Sequence, residues 1–168
     1  MAGLNTETEN LWKTYDAIQE LIRFADTKAT TILAISGVLV GFYFSNVAAI
    51  QNILQQKSIS IIPLAIATIL LLFTSALTAY CIAPRLKMNK NQCLILFCDI
   101  ANYKSADEYG KALSNKMTDE QIKKQLIDQV WANSKITAKK YRAVNIAVLL
   151  FVASIVSSIL FIFFGSLR

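Results

Sequence analysis

Ala29–Ile50 reads ATTILAISGVLVGFYFSNVAAI, 22 residues without a charge. At about 1.5 Å of rise per residue, a helix of that length covers about 33 Å, enough to cross a hydrocarbon core of about 30 Å. Two further stretches read the same way. They are Ile59–Ala83 (ISIIPLAIATILLLFTSALTAYCIA) and Ala143–Gly165 (AVNIAVLLFVASIVSSILFIFFG). Pro63 falls in the opening turns of the second, where a missing N–H costs least. Within lipid every backbone N–H and C=O must be satisfied inside the segment, so all three are expected to be helices. The alternation a closed barrel requires is absent. The expected fold is an all-α integral membrane protein with three transmembrane helices.

Composition agrees. The chain has 168 residues, 55% hydrophobic and 17% charged, against about 45–50% and about 25% in a typical soluble domain. At this length one structural unit is expected. There is no histidine, which excludes Ser-His-Asp and Cys-His machinery and any zinc site that uses histidine. Neither GxGxxG nor GxxxxGK[ST] occurs, so a Gly-rich phosphate loop is excluded. Cys81, Cys93 and Cys98 are an odd count without metal-ligand spacing, and are expected as buried thiols in a reducing compartment. No metal and no cofactor is expected.

Lys and Arg set the expected orientation. Residues 1–28 carry three, 51–58 one, 84–142 twelve and the C-terminal tail one. All eleven acidic residues also lie in 1–28 and 84–142. The positive-inside rule then places those two segments in the cytoplasm. The expected division is a cytoplasmic amphipathic helix (1–28), transmembrane helix 1 (29–50), an external turn (51–58) and transmembrane helix 2 (59–83). A cytoplasmic helical module (84–142), transmembrane helix 3 (143–165) and an external tail (166–168) follow. The first apolar run begins after a charged segment too long for a signal-peptide n-region, so a retained anchor is expected.

The cytoplasmic segments are mostly helical in pattern. Leu11, Tyr15, Ile18, Ile22 and Ala25 recur at steps of four and three, widened by Trp12 and Leu21. Lys13, Asp16, Glu20 and Arg23 take the other face, and no breaker precedes Ala29. This seam either packs on the chain's own 84–142 segment or joins two protomers. Ser105 with Glu108, and Thr118 with Gln121, are capping-box spacings. They predict a short helix to about Lys116 and a long one running through Arg142 into the third span. On the latter Ile122, Leu126, Val130, Thr137 and Tyr141 fall near one face. The run Cys93–Ile100 is ambiguous between strand and helix.

Scattered carboxylates without histidine form no catalytic constellation, so an enzyme is not expected. The spans hold no ionisable group, against an ordinary pump or carrier. Asn46, Asn145, Ser157 and Ser158 suit helix packing. Gly37 and Gly41 form a GxxxG, read as close helix packing either within the chain or between copies. Basic residues gather where the spans meet the cytoplasm: Arg23 and Lys28, Arg85 and Lys87, then Lys139, Lys140 and Arg142. They either anchor to headgroups or form an anion pocket. In the second reading Arg23, Lys28, Lys140 and Arg142 take a phosphate and Tyr103 or Tyr109 stacks on a base. Asp26 and Asp99 then partner these bases or cap helices. The cytoplasmic segments hold 15 basic and 11 acidic residues, a net +4, which fits a small phosphate ligand better than polymeric nucleic acid.

Three stretches together resemble a known family. They are Leu21–Phe44, with F-A-D-x-K-A leading into the first span; Phe97–Leu113, with D-I-A-x-Y and then E-Y; and Leu126–Phe151, with A-K-K-Y-R leading into the last span. The pattern is similar to the transmembrane effectors of Pycsar anti-phage systems, from about residue 10 onward. The resemblance implies a multi-pass protein of the bacterial inner membrane with a cytoplasmic N-terminus. It implies a cyclic pyrimidine mononucleotide, cUMP or cCMP, as ligand, made by a partner cyclase on infection. It also implies an outcome in which the membrane is impaired and growth stops, and the chain is expected to form a homo-oligomer in the bilayer. Two alternatives stay open: an effector triggered by a cyclic oligonucleotide, and a non-enzymatic scaffold subunit of a membrane complex.

Overall fold

The structure, a computed structural model, describes residues 6–56, 60–83, 100–116 and 118–166. The described residues form five helices: α1 (Thr6–Ser45), α2 (Val47–Gln56), α3 (Ile61–Ile82), α4 (Ala106–Lys116) and α5 (Asp119–Ser166). Three of them, α1, α3 and α5, are long and apolar enough to cross a membrane. The all-helical class and the three spans stand as expected.

One feature of the expected organisation changes. The chain divides into two compact units: 1–22 with 84–138, and 23–83 with 139–168. Helices α1 and α5, of 40 and 48 residues, each contribute to both.

In the first unit, Leu11, Tyr15 and Ile18 of α1 are half-buried and Lys13, Asp16 and Glu20 exposed, as the period demands. Leu126 of α5 is fully buried. The Nζ of Lys123 in α5 lies 2.8 Å from the Glu7 carboxylate in α1. Along α1, Lys13 bonds Glu9 at 2.8 Å and holds its carboxyl below the ordinary range. Ser105 caps α4 by accepting from the Glu108 N–H at 3.2 Å. The Glu108 carboxylate accepts from Lys104 N–H at 3.0 Å, one residue before the usual partner. At the start of α5, the Gln121 side chain accepts from Thr118 N–H at 3.5 Å.

In the second unit, α1 stops at Ser45 and α2 resumes at Val47. The first span was expected to run unbroken to Ile50, and Asn46 explains the break. Its side-chain amide donates to Phe42 O at 2.9 Å, while its own N–H is shared between Phe42 O and Tyr43 O. Such local side-chain bonds compete with the helix ladder. Residues 51–56, expected as part of a turn, continue as helix α2. The α3 face Pro63, Ala67, Leu71, Thr74, Thr78 and Cys81, spaced four, four, three, four and three apart, is buried.

Most of the buried side chains of the second unit are small, with Leu71 and Phe161 as large exceptions, and most of its large apolar side chains are exposed. Ser36, Ala67, Thr74, Thr78, Ala147 and Ser154 are buried, whereas Val38, Phe42, Leu72, Phe73, Leu149 and Ile162 are exposed. Lipid is a good solvent for large apolar groups, so helices in it associate through small residues that permit close approach. Among the described residues, polar links cross between helices within the unit. Ser157 Oγ of α5 donates to Pro63 O of α3 at 2.7 Å. Ser158 Oγ donates to Ser154 O at 2.7 Å, so Tyr43 OH is the donor in its 2.5 Å contact with Ser158. Another is an ion pair at the charged end of the unit.

Candidate functional site

Asp26 is the last acidic residue before the apolar half of α1, and Lys140 is among the last basic residues before that of α5. Lys140 Nζ lies 2.5 Å from Asp26 Oδ1, with the lysine side chain 7% and the aspartate side chain 33% exposed. Beside them Ala25, Ala29, Cys81 and Val144 form a buried apolar cluster, against which Ile82 and Tyr141 pack. The Cys81 thiol lies 3.9 Å from Lys140 O. Lys140 is therefore tied to α1 through its side chain and to α3 through its carbonyl.

An ammonium this buried is tolerable only with an anionic partner. Asp26 supplies it, and one third of its side chain stays open to solvent. Thr30 donates to Asp26 O rather than to the carboxylate. Asp26 thus stands as the ion-pair partner of one base, Lys140.

The other expected phosphate ligands lie elsewhere. Arg23, Lys28 and Arg142 are exposed. Lys28 Nζ sits 4.4 Å from the centroid of the Phe24 ring, a cation–π contact one turn back. Residues two apart on a helix do not face each other. Lys28 is thus turned away from Asp26, and Arg142 from Lys140. Of the four cations, Lys140 is the one seen paired with the Asp26 carboxylate among the described contacts. In the first unit, the Tyr103 and Tyr109 rings meet at 5.5 Å between centroids, tilted by 56°. Asp99, Arg85 and Lys87 lie outside the described residues, as do Cys93 and Cys98. Cys81 is buried, as expected of a thiol.

Gly37 and Gly41 are exposed, and a Cβ built on either meets no atom within 4 Å. Among the described residues, nothing packs closely against either glycine. Gly165 is the closely packed glycine, because a Cβ there would lie 3.0 Å from Ile53 Cγ2. A cavity of about 330 Å³ opens between α1, α2 and α3, lined by Val40, Phe44, Ile50, Leu64 and Leu72 among others. No charged residue lines it, so it offers a phosphate nothing.

Sequence reasoning missed the inward hydroxyls of Ser36, Thr74, Thr78 and Ser154. A signal was present in the spacing of α3, where Ala67, Leu71, Thr74, Thr78 and Cys81 step by four and three.

The comparisons with known proteins agree over nearly the whole chain. Residues 10–166 match the model of the Pycsar effector protein domain, PycTM. The Pycsar effector protein SaPycTM of Staphylococcus aureus is 30% identical over 128 residues, covering 76% of this chain and 77% of its own. The Pycsar effector protein PtPycTM of Propioniciclava tarda is 24% identical over 151 residues, covering 86% and 73%. No solved structure matches. A family match from the amphipathic start of α1 to the end of the last apolar helix makes this chain a member of the Pycsar transmembrane effector family.

Proposed function

We propose that this chain is a non-enzymatic anti-phage effector that senses a cyclic pyrimidine mononucleotide, cUMP or cCMP, and breaches the inner membrane. The observation that carries this reading is the family match over residues 10–166. The nucleotide is supplied by a partner cyclase. The concentration of charge supports a cytoplasmic N-terminus and a cytoplasmic 84–142 segment, with the C-terminus external.

Ligand recognition needs cations for a phosphate and an aromatic face for a base. Arg23, Lys28 and Arg142 are exposed cations at the charged end of the second unit, and we assign the phosphate to this group. Lys140 joins them only by leaving Asp26. A ligand shifts a conformational equilibrium only through differential affinity for its two states. An anion that competes with Asp26 for Lys140 has that property, because it favours the state in which the α1–α5 ion pair is broken. Self-association in the bilayer is supported by the open face at Gly37 and Gly41.

The test is thermal stability of the detergent-purified full chain against cUMP, cCMP, cAMP, cGMP and cyclic di- and trinucleotides. At 100-fold its dissociation constant a ligand adds about 2.7 kcal/mol, a rise of roughly 5–10 °C for a chain of this size. A rise with one pyrimidine nucleotide supports the sensor and names the ligand. A rise with a cyclic oligonucleotide changes the trigger. No rise with any of them, in folded and homogeneous protein, overturns the sensor reading.

A further inference from the structure

We propose that the hydroxyl-bearing inner face of the second unit, carried by Ser36 on α1, Thr74 and Thr78 on α3 and Ser154 on α5, becomes the water-facing wall of the breach when the spans part. This rests on the reading that the chain opens the membrane, and gives that opening a pore lining in place of a lipid defect.

Ser36 shares the α1 face of Ala25, Ala29 and Tyr43. These positions fall within about 40° of one another on a helix of 3.6 residues per turn. Ala25 and Ala29 belong to the buried cluster that includes Cys81 and Val144, and Tyr43 bonds to Ser158 of α5. Ser36 is therefore directed toward the other spans, and it is 0% exposed. Its hydroxyl has no hydrogen-bond partner, and neither does that of Ser60, also 0% exposed, just before α3. The hydroxyls of Thr74, Thr78 and Ser154 each bond within their own helix. Thr74 donates to Leu70 O at 2.8 Å, Thr78 to Thr74 O at 2.9 Å and Ser154 to Phe151 O at 2.7 Å.

That bonding pattern separates two roles for small polar residues between spans. Hydroxyls that hold helices together bond across the interface, as Ser157 does to Pro63 O. Hydroxyls that bond to their own helix lose nothing when the helices part. They keep their donor bond and offer water their lone pairs. Ser36 gains a partner on hydration, because a buried unpaired hydroxyl is unfavourable. The inner face is thus wettable, while large apolar residues such as Phe73 and Leu149 occupy the outer face. The four positions carry no charge, so the lining suits small hydrated ions of either sign.

The experiment uses the full chain in vesicles of Escherichia coli polar lipid, with Cys81→Ala, Cys93→Ser and Cys98→Ser as background. Single cysteines are placed at Thr74 and Ser154, with Leu149→Cys as the lipid-facing control. A charged, membrane-impermeant methanethiosulfonate reagent labels them while dye efflux is triggered with cUMP or cCMP. The proposal expects labelling at positions 74 and 154 to accelerate at least tenfold during efflux, with position 149 unchanged. Efflux without acceleration overturns the lining and leaves nucleotide sensing intact.

A second arm needs no nucleotide. The variant Ser36→Ala/Thr74→Val/Thr78→Val/Ser154→Ala is melted in detergent beside the natural chain. An unchanged or higher melting temperature supports the lining, and a lower one assigns these hydroxyls to holding the helices together and overturns it. If neither nucleotide causes efflux, the sensor reading fails and this second arm decides the lining alone.

Discussion

The Asp26–Lys140 pair concentrates more free energy than any surface contact, and its asymmetry sets a specific order among variants. Asp26→Ala leaves an ammonium at 7% exposure without its counter-charge. Removing one partner of a buried pair costs about 3–5 kcal/mol. The one-third exposure of Asp26 argues for the lower end, about 3 kcal/mol. Lys140→Met removes the buried charge instead and leaves a carboxylate that can turn to water, a loss of about 1 kcal/mol. Asp26→Ala with Lys140→Met leaves no buried charge, so the double variant is more stable than Asp26→Ala alone. The coupling energy is about 2 kcal/mol, within the range for groups in direct contact. In a thermal melt of the detergent-purified chain this corresponds to a fall of roughly 6–12 °C for Asp26→Ala, about a third of it recovered by the second substitution. Additive losses, or a Lys140→Met variant as unstable as Asp26→Ala, would refute the reasoning, because the two groups would then be acting separately.

Other contacts give sharper contrasts than single values. Gly37→Ala with Gly41→Ala meets open space on a helix, and should raise melting stability, since alanine is favoured over glycine by up to about 1 kcal/mol per helical position. Bulkier Gly37→Leu with Gly41→Leu should leave that stability intact while lowering chemical cross-linking between copies in the membrane; unchanged cross-linking would place the self-association surface elsewhere. Gly165→Ala carries its new methyl to 3.0 Å from Ile53, and should gain less than the Gly37/Gly41 pair gains per site. Leu126→Ala empties a fully buried position and should cost about 2–5 kcal/mol. Trp131→Ala, at a side chain 62% exposed, should cost far less; equal losses would mean that Leu126 does not centre the first unit's core.

The sequence carried the spans because the signal is repeated. Twenty or more residues without a charge speak together, and no single position decides. It did not carry the end of α1, because that break depends on one side chain, Asn46, diverting the carbonyls of the turn before it. The basic cluster was legible as a cluster, but its members were not separable by type. Lys139, Lys140 and Arg142 differ only in angle around α5, and 100° per residue decides which one is buried. Following the face of Leu126 and Thr137 onward would have reached Lys140 and Val144, which are buried with them. The inner hydroxyls were hidden by the solvent. In lipid, large apolar residues lie on the outside, so the usual reading of bulk as core points the wrong way.

The most direct measurement is dye efflux from vesicles carrying the reconstituted chain, with cUMP, cCMP, cAMP and cGMP added in turn. Sensing of a cyclic pyrimidine predicts efflux that saturates with cUMP or cCMP and is absent with both purine nucleotides. Tight vesicles under all four, or efflux indifferent to which is added, would contradict it.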